Sequence, residues 1–291
     1  MVTNRHGVAP ERSLGYSQGP MTAAEALPRW PGEARAACAF TFDLDAETLW
    51  MARGVHEPVA LSQGRFGPVE ALPRILALLE KSGVRASFFI PAWVASHYPD
   101  AVRAIAKAGH EVGCHGDKHE RVSELPPERE EQILRKSIEV LGGLTGRRPR
   151  GYRAPAWQLS PATLSLLVRH EFEYSSNMMD RVRPYLHAPI DGRRLVEIPV
   201  SWVLDDAPFF MFTGTRAIQA PGPVLQGWIT EFDGICEMRG VTNFTFHPQI
   251  IGRPSRLACL RELIEHVRHT PRVWVATLGE IAAHWRTVEA A

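Results

Sequence analysis

Residues 37–47 read ACAFTFDLDAE, and this stretch decides the fold. Its first six residues form a short, mostly apolar run, which predicts a buried strand over 37–42. Carboxylates follow at once, at Asp43, Asp45 and Glu47. Unpaired carboxylates at the end of a buried strand are costly unless a cation or hydrogen bonds compensate them. The stretch therefore predicts a core strand whose end carries polar chemistry.

Similar short apolar runs alternate with helical patterns along the rest of the chain. Gly83 and Gly109 each follow an amphipathic segment, as is typical of a helix end. Predicted strands cover 37–42, 86–90, 110–114, 151–153, 194–200, 241–246 and 273–276. Predicted helices cover 69–81, 100–108, 127–144, 225–237 and 255–269, a further helix begins at Ser160-Pro161, and a last one opens with the capping box Thr277-x-x-Glu280.

This alternation predicts an α/β fold with parallel strands, because parallel neighbours need a crossover connection. About seven strand–helix units in ~250 residues favour a closed or nearly closed barrel. An open doubly wound sheet is the alternative, but the sequence has no glycine-rich phosphate turn after its first strand. Prolines interrupt residues 1–35, which we expect to form an irregular arm before a single catalytic barrel domain over 36–291.

Composition limits the classes of partner. The chain has 33 basic and 32 acidic side chains, so its formal net charge is +1. We therefore expect no global field that attracts nucleic acid or an anionic membrane. Residues 1–33 lack the apolar run of a secretion signal, and no segment has the length of a membrane span, which predicts a cytoplasmic protein. The four cysteines form no C-x-x-C pair, which predicts reduced, buried thiols.

Unusual polar residues follow the ends of several predicted strands. In parallel barrels these ends form the catalytic rim, so residues far apart in sequence would converge there. The residues concerned are Asp43, Asp45 and Glu47 after the first strand, His115 and His119 after the third, Arg153 after the fourth, and His247 at the end of a late strand.

The pair His115 and His119 has the i,i+4 spacing that brings two imidazoles to one metal ion in a helix or tight turn. The alternative is two hydrogen-bonded surface histidines beside a charged turn. In the H-E-x-x-H motif of metalloproteases a glutamate follows the first histidine, whereas Gly116 follows His115 here. The pair is therefore not that motif. In the first stretch, period two places Asp43 and Asp45 on one side of the strand, and a turn or helix cap is their alternative role.

Taken together, these segments resemble the polysaccharide deacetylases of carbohydrate esterase family 4. The resemblance is strongest to the branch with allantoinase-like proteins, cyclic imide hydrolases and peptidoglycan-deacetylase-like proteins. It implies a distorted (β/α)7-type barrel, the polysaccharide deacetylase fold. The segments that carry it are TFDLDAE (41–47), GHEVGCHGDKH (109–119), GYRAPAW (151–157), VEIPVSWVLDDAPFF (196–210) and FTFHPQIIGRPSR (244–256).

The resemblance also implies roles for these residues. One divalent metal ion, usually zinc, would be held by Asp45, His115 and His119. Asp43 would be the general base, Arg153 would pair with that base, and His247 would protonate the leaving nitrogen. Members of the family usually have adjacent aspartates, whereas Leu44 intervenes here. The assignment of base and ligand between Asp43 and Asp45 therefore stays open.

Aromatic residues beyond this set are candidates for the substrate pocket. Trp157, Trp202 and Phe209 would form apolar walls, with core packing an equal alternative for Trp202. The resemblance implies that one of the pair Asp205 and Asp206, which we take to be Asp206, contacts the substrate or orients His247. Capping of the turn before Ala207-Pro208 is the alternative role of the pair. Residues 207–212 (APFFMF) are too apolar for an exposed loop, which suggests a contact with a second subunit in a homo-oligomer.

These features predict a metal-dependent hydrolase of non-peptide carbon–nitrogen bonds. We expect its substrate to be a small cyclic amide, imide or ureide. An N-deacetylase of N-acetyl sugar polymers is the alternative enzyme, and a catalytically silent barrel that binds such a ligand is the alternative from another class.

Overall fold

The structure is a computed structural model that describes residues 30–212 and 217–289. The expected irregular arm lies outside the described residues up to position 29, and only its last six residues are placed. Among these, Trp30 is buried, and its ring lies 5.6 Å from that of Trp285 in the last helix. The end of the arm is therefore packed on the domain.

Strands and helices alternate along the chain. The strands are β1 (Ala36–Asp43), β2 (Ser87–Ile90), β3 (Glu111–Cys114), β4 (Gly151–Tyr152), β5 (Tyr174–Ser175), β6 (Tyr185–Leu186), β7 (Val196–Glu197), β8 (Val241–Phe246) and β9 (Val273–Val275). The helices are α1 (Thr48–Met51), α2 (Pro58–Phe66), α3 (Leu72–Ser82), α4 (Ala92–His97), α5 (Pro99–Lys107), α6 (Pro127–Thr145), α7 (Thr163–Arg169), α8 (Ala207–Phe210), α9 (Pro221–Glu237), α10 (Pro248–Ile251), α11 (Pro254–His269) and α12 (Leu278–Glu289).

The strands form one curved, mostly parallel sheet. Seven of them are hydrogen-bonded in the order β7-β5-β4-β3-β2-β1-β8, and all six pairings in this row are parallel. Strand β9 also runs parallel to β1, and β6 is an antiparallel edge strand on β7. A parallel bridge joins Asp205, after β7, to Thr245 of β8. The sheet thus curls into a half-barrel, which confirms the expected distorted seven-stranded barrel.

The core lies where this sheet meets its helices. All eight residues of β1 are buried. Aromatic side chains link neighbouring strands, since Phe42 stacks on Phe88 at 4.9 Å and Phe40 on Phe244 at 5.6 Å. Burying a side chain of this size contributes roughly 1.5–3 kcal/mol. Strand β1 is therefore packed against its neighbours on both sides, β2 and β8.

Most predicted elements are present, with some shifts. Strand β8 has the predicted bounds, and Thr277 and Glu280 form the expected capping box. The predicted strand 194–200 is wrong in length, because only Val196–Glu197 pairs with its neighbours. The helix predicted over 69–81 begins with a π-helical segment, Gly67–Ala71, and α2 was not predicted.

Two other expectations concern cysteines and membranes. All four cysteines are free, and three of them, Cys38, Cys114 and Cys259, are buried, whereas Cys236 is half-buried. Cys114 packs in the core. Within residues 30–212 and 217–289, no helix combines the length and apolarity needed to cross a bilayer.

Candidate metal centre and active site

The carboxyl end of the sheet brings the predicted polar residues together. Asp43 is the last residue of β1, and the backbone N–H of Leu44 continues the ladder by donating to the Phe89 carbonyl at 2.9 Å. The Leu44 side chain is buried in the core. Asp43 and Asp45 both turn the other way, because each lies within 4 Å of His115. The period-two spacing of the two aspartates has the predicted effect.

His115 and His119 come from a tight loop after β3. The segment is not helical, and both Gly116 (φ 73°) and His119 (φ 62°) have left-handed backbone conformations. The loop turns both imidazoles toward the same carboxylate. Nε2 of His115 lies 3.3 Å from Asp45 Oδ1, and Nε2 of His119 lies 3.7 Å from Asp45 Oδ2.

Asp45, His115 and His119, here called the candidate triad, have ligand atoms that all lie within 4.8 Å of one another. Asp45 is fully buried, and neither carboxylate oxygen has a hydrogen-bond partner within residues 30–212 and 217–289. Nδ1 of His115 donates to the Arg153 carbonyl at 2.8 Å, which leaves Nε2 available as a ligand atom. Two imidazole nitrogens and a buried, unsatisfied carboxylate suit a divalent metal ion, zinc in particular. The residues present therefore fit the expected ion.

Burial and neighbouring charges shift the pKa values of the triad residues in different directions. Burial by itself would raise the pKa of Asp45, but the neighbouring charges of His119 and His115 hold that pKa below its usual value. Burial lowers the pKa of His119 to about 4, so its imidazole is neutral at pH 7. Burial also acts to lower the pKa of His115, but the charges of Asp43 and Asp45 prevail and raise it.

Arg153 is the largest charged side chain in the interior, and it is fully buried. Its Nη1 donates to Asp43 Oδ1 at 2.9 Å and to Thr41 Oγ1 at 2.8 Å. Its Nη2 donates to Ser176 Oγ at 3.1 Å and to Asn243 Oδ1 at 3.3 Å. The predicted pairing of Arg153 with Asp43 is present in this geometry. It leaves Asp43 Oδ2 on the side of the triad, 3.9 Å from His115 Nε2.

His247 follows β8 and lies between the triad and two further carboxylates, those of Asp205 and Asp206. These three residues are here called the His247 cluster. Nδ1 of His247 donates to Asp206 Oδ1 at 2.6 Å, and its backbone N–H also donates to Asp206. On the opposite side of the ring, Nε2 lies 3.6 Å from Asp45 Oδ2. Asp205 accepts from the Ala207 N–H at 2.8 Å, and its Oδ1 lies 3.6 Å from His247 Nδ1.

The charges of this cluster favour a protonated imidazole. Burial acts to lower the pKa of His247, but the charges of Asp206 and Asp205 prevail and raise it well above its usual value. Burial raises the pKa of Asp205 to about 7, although the charge of His247 opposes this change. His247 can therefore hold a proton on Nε2, directed at the triad.

The predicted substrate residues lie in different settings. Trp157 is buried with a positive φ of 55°, and its ring lies 4.3 Å from that of Trp202. Trp202 is 46% exposed, so the core-packing alternative does not hold for it. Phe209 is half-buried and packs 6.2 Å from the Trp228 ring. Asp206 bonds to His247, and its contact with a substrate stays a prediction.

Several supporting residues were not predicted from the sequence. Thr41, Ser176 and Asn243 bind the Arg153 guanidinium, and Asn177 accepts from the Ala154 N–H at 2.8 Å. All four are buried. Polar residues inside otherwise apolar strands were the available signal, since such groups need partners when they are buried.

Comparisons with known proteins identify the family of this chain. The family model described as polysaccharide deacetylase matches residues 66–175. The peptidoglycan deacetylase of Helicobacter pylori is 33% identical over 276 residues, which cover 84% of this chain and 94% of that protein. A peptidoglycan deacetylase-like protein of Gibberella zeae is 32% identical and covers 82% of this chain and 83% of its own length.

Solved structures agree as well. A polysaccharide deacetylase-like protein from Mycobacterium smegmatis superposes with a TM-score of 0.86 at 38% identity, covering 91% of this chain and 94% of that one. The PuuE allantoinase superposes with a TM-score of 0.83 at 25% identity, covering 96% and 98%. From the sequence matches, with the fold and the assembled motifs in agreement, the chain belongs to the polysaccharide deacetylase family of carbon–nitrogen hydrolases.

Proposed function

We propose that this chain is a metal-dependent hydrolase that opens the carbon–nitrogen bond of a small cyclic amide, imide or ureide. One observation carries the proposal: the buried Asp45, which has no hydrogen-bond partner among the described residues, lies within 4 Å of both triad histidines and of His247. The candidate metal ligands and the candidate proton donor are thus both close to the same carboxylate, that of Asp45.

Asp45, His115 and His119 would hold the ion, and zinc suits this donor set. A bound divalent ion would polarise the substrate carbonyl and lower the pKa of an attacking water molecule.

Asp43 is proposed as the general base. Its Oδ1 is occupied by Arg153 at 2.9 Å, and its Oδ2 faces the triad and is available to accept a proton from water. The resulting hydroxide oxygen bonds to the carbonyl carbon of the substrate.

His247 is proposed as the general acid. Because Nδ1 donates to Asp206, the proton on Nε2 is the one directed at the centre. When the carbon–nitrogen bond breaks, its electron pair goes to the nitrogen, which takes this proton. The overall reaction is hydrolysis of the carbon–nitrogen bond, and its products are a carboxylate and an amine or amide.

The burial of the centre supports a compact substrate. Side chains of Asp43, Asp45, His115 and His247 are at most 9% exposed, and that of His119 is 12% exposed. A flat sugar polymer needs an open groove across the reacting atoms, whereas a small ring fits a narrow approach. The 25% identity and high structural similarity to PuuE allantoinase are consistent with a small substrate.

N-deacetylation of an N-acetyl sugar polymer is the second candidate. It is favoured by the 33% identity to a peptidoglycan deacetylase and by Trp202, whose exposed ring could stack on a sugar. The same residues would act, with acetate as the product. A catalytically silent barrel would have no need for Asp43, the candidate triad and His247 to lie together at one centre, as they do here.

A substrate panel tests these alternatives. The zinc-loaded protein is incubated with succinimide, dihydrouracil, hydantoin, allantoin and N-acetylglucosamine oligomers, and ring opening and acetate release are measured. We expect turnover of at least one cyclic compound and none in a His119→Ala control. Acetate from the oligomers without ring opening would establish the second candidate instead, and no turnover of any compound would favour the silent barrel.

A further inference from the structure

The loop between the two triad histidines has an unfavourable backbone conformation, which contacts with neighbouring residues must stabilise. His115 and His119 are four residues apart outside any helix, yet both Nε2 atoms lie within 3.7 Å of Asp45. The loop reaches this arrangement through positive φ angles at Gly116 (73°) and at His119 (62°). A side chain larger than glycine rarely adopts such a φ without surrounding contacts that enforce it. The position of His119 therefore depends on what holds the loop.

The first half of the loop is tied to neighbouring helices. The Gly116 carbonyl accepts from the Ala92 N–H of α4 at 3.0 Å and from Ser137 Oγ of α6 at 2.7 Å. The Asp117 carbonyl accepts from the Trp93 N–H at 3.0 Å. These bonds fix the chain just after His115.

The second half is held by Glu120, which follows His119 directly. Its Oε2 accepts from the backbone N–H groups of Asp117 at 3.0 Å and of Lys118 at 2.9 Å. The same oxygen lies 3.2 Å from the place that a β-carbon on residue 116 would take. Hydrogen bonds to an ionised carboxylate are roughly twice as strong as neutral ones. Glu120 thus closes the turn on the side that carries His119.

We propose that Glu120 is a positioning residue for the metal centre. It sets the backbone of 117–120 so that Nε2 of His119 faces Asp45, and it does so without contacting the ion. The inference rests on the proposed function, because it assumes that the candidate triad binds a metal ion. It goes beyond that function by assigning a role to a residue outside the triad, the base and the acid.

The test compares Glu120→Ala with Glu120→Gln and with a matched control. Glutamine keeps an oxygen that can accept the two N–H bonds, whereas alanine removes it. Glu124→Ala is the control, because Glu124 has a 67% exposed side chain and pairs only at 3.4 Å with the exposed Arg121. Zn²⁺ affinity is measured by competition with a chromophoric chelator, and Co²⁺ absorption reports the ligand geometry.

Loss of a group that orients a metal ligand typically weakens affinity by roughly 10–100-fold. We expect this loss and an altered Co²⁺ spectrum in Glu120→Ala, near wild-type affinity in Glu120→Gln, and no change in Glu124→Ala. Wild-type affinity in Glu120→Ala, or an equal loss in the glutamine variant, would overturn the inference. A wild-type protein that binds no ion would instead overturn the proposed metal centre, and the two failures are thereby distinguished.

Discussion

The candidate triad and the His247 cluster are alike in composition and unlike in hydrogen bonding. Each brings carboxylate and imidazole atoms within 4.8 Å of one another. In the triad, neither oxygen of Asp45 has a hydrogen-bond partner in the part of the chain that the structure describes. In the His247 cluster, Asp206 accepts from the ring and backbone of His247, and Asp205 accepts from the Ala207 N–H.

This difference supports the proposed roles, which are metal binding for the triad and proton donation for His247. A buried carboxylate without a partner is costly, and a cation would remove that cost. Nδ1 of His247 is only 2.6 Å from Asp206, so a hydrogen bond fills the space between them. Proximity of ligand-type atoms is therefore not enough to define a metal site, and the state of their hydrogen bonds decides.

The largest expected effect is loss of the ion from the triad. We expect His119→Ala to retain little metal after dialysis and to lose activity on the order of 10³-fold, because a metal ion contributes several kcal/mol to such reactions. Metal content is measured by elemental analysis, with the exposed His56→Ala as control. Full metal retention in His119→Ala would show that the metal ion does not bind at the candidate triad.

The second effect concerns the His247 cluster and should leave the ion in place. We expect His247→Ala to keep one metal ion per chain while kcat falls by ~10²–10⁴-fold, which is typical when a general acid is removed. KM should change less, because the proton is needed only as the bond breaks. Activity within a few-fold of wild type would show that His247 has a structural role only. Loss of the metal ion would show that His247 also contributes to metal binding.

The two carboxylates of the His247 cluster should differ in importance. Asp206 lies 2.6 Å from His247 Nδ1, whereas Asp205 lies 3.6 Å away. We expect Asp206→Asn to lower kcat by ~10–100-fold, since hydrogen bonds to charged groups contribute roughly 1.5–3 kcal/mol. Asp205→Asn should remain within a few-fold of wild type and serves as the matched control. The reverse order in kcat would show that Asp205 orients the ring.

The smallest effect involves a histidine outside both clusters. His110 is buried before β3, and its Nδ1 accepts from the Ala86 N–H at 3.2 Å. Burial and the charge of Arg85 lower its pKa to about 4. The unfolded chain takes up this proton near pH 6.5 and the folded chain does not, so stability falls as the pH drops from 6.5 toward 4.

Between these pH values, one such proton changes stability by about 1.4 kcal/mol per pH unit. The measurement is urea unfolding of the wild type and of His110→Asn at pH 7.5 and 5.0, both in chelator. We expect the wild type to lose more stability than the variant over this interval. Equal losses would contradict a neutral His110 in the folded protein.

Local sequence patterns predicted much of the fold. The apolar run of β8 was located at its observed bounds, and Thr277 and Glu280 cap α12 as expected. Other elements depend on distant neighbours. Strand β5 has only two paired residues, which is too short for a periodic signal. Helix α2 contains Gly64, whose missing β-carbon allows the close approach of Ala46.

The sequence by itself determined that Asp43 and Asp45 end a buried strand on the same side, because side chains alternate along a strand. It also determined that His115, Arg153 and His247 follow other strands, so a parallel barrel would collect them at one rim. Only the tertiary structure decided which carboxylate keeps free oxygens and which is bonded to a histidine. Those bonds join residues such as His247 and Asp206, 41 positions apart, whose distance is set by the packing of the sheet.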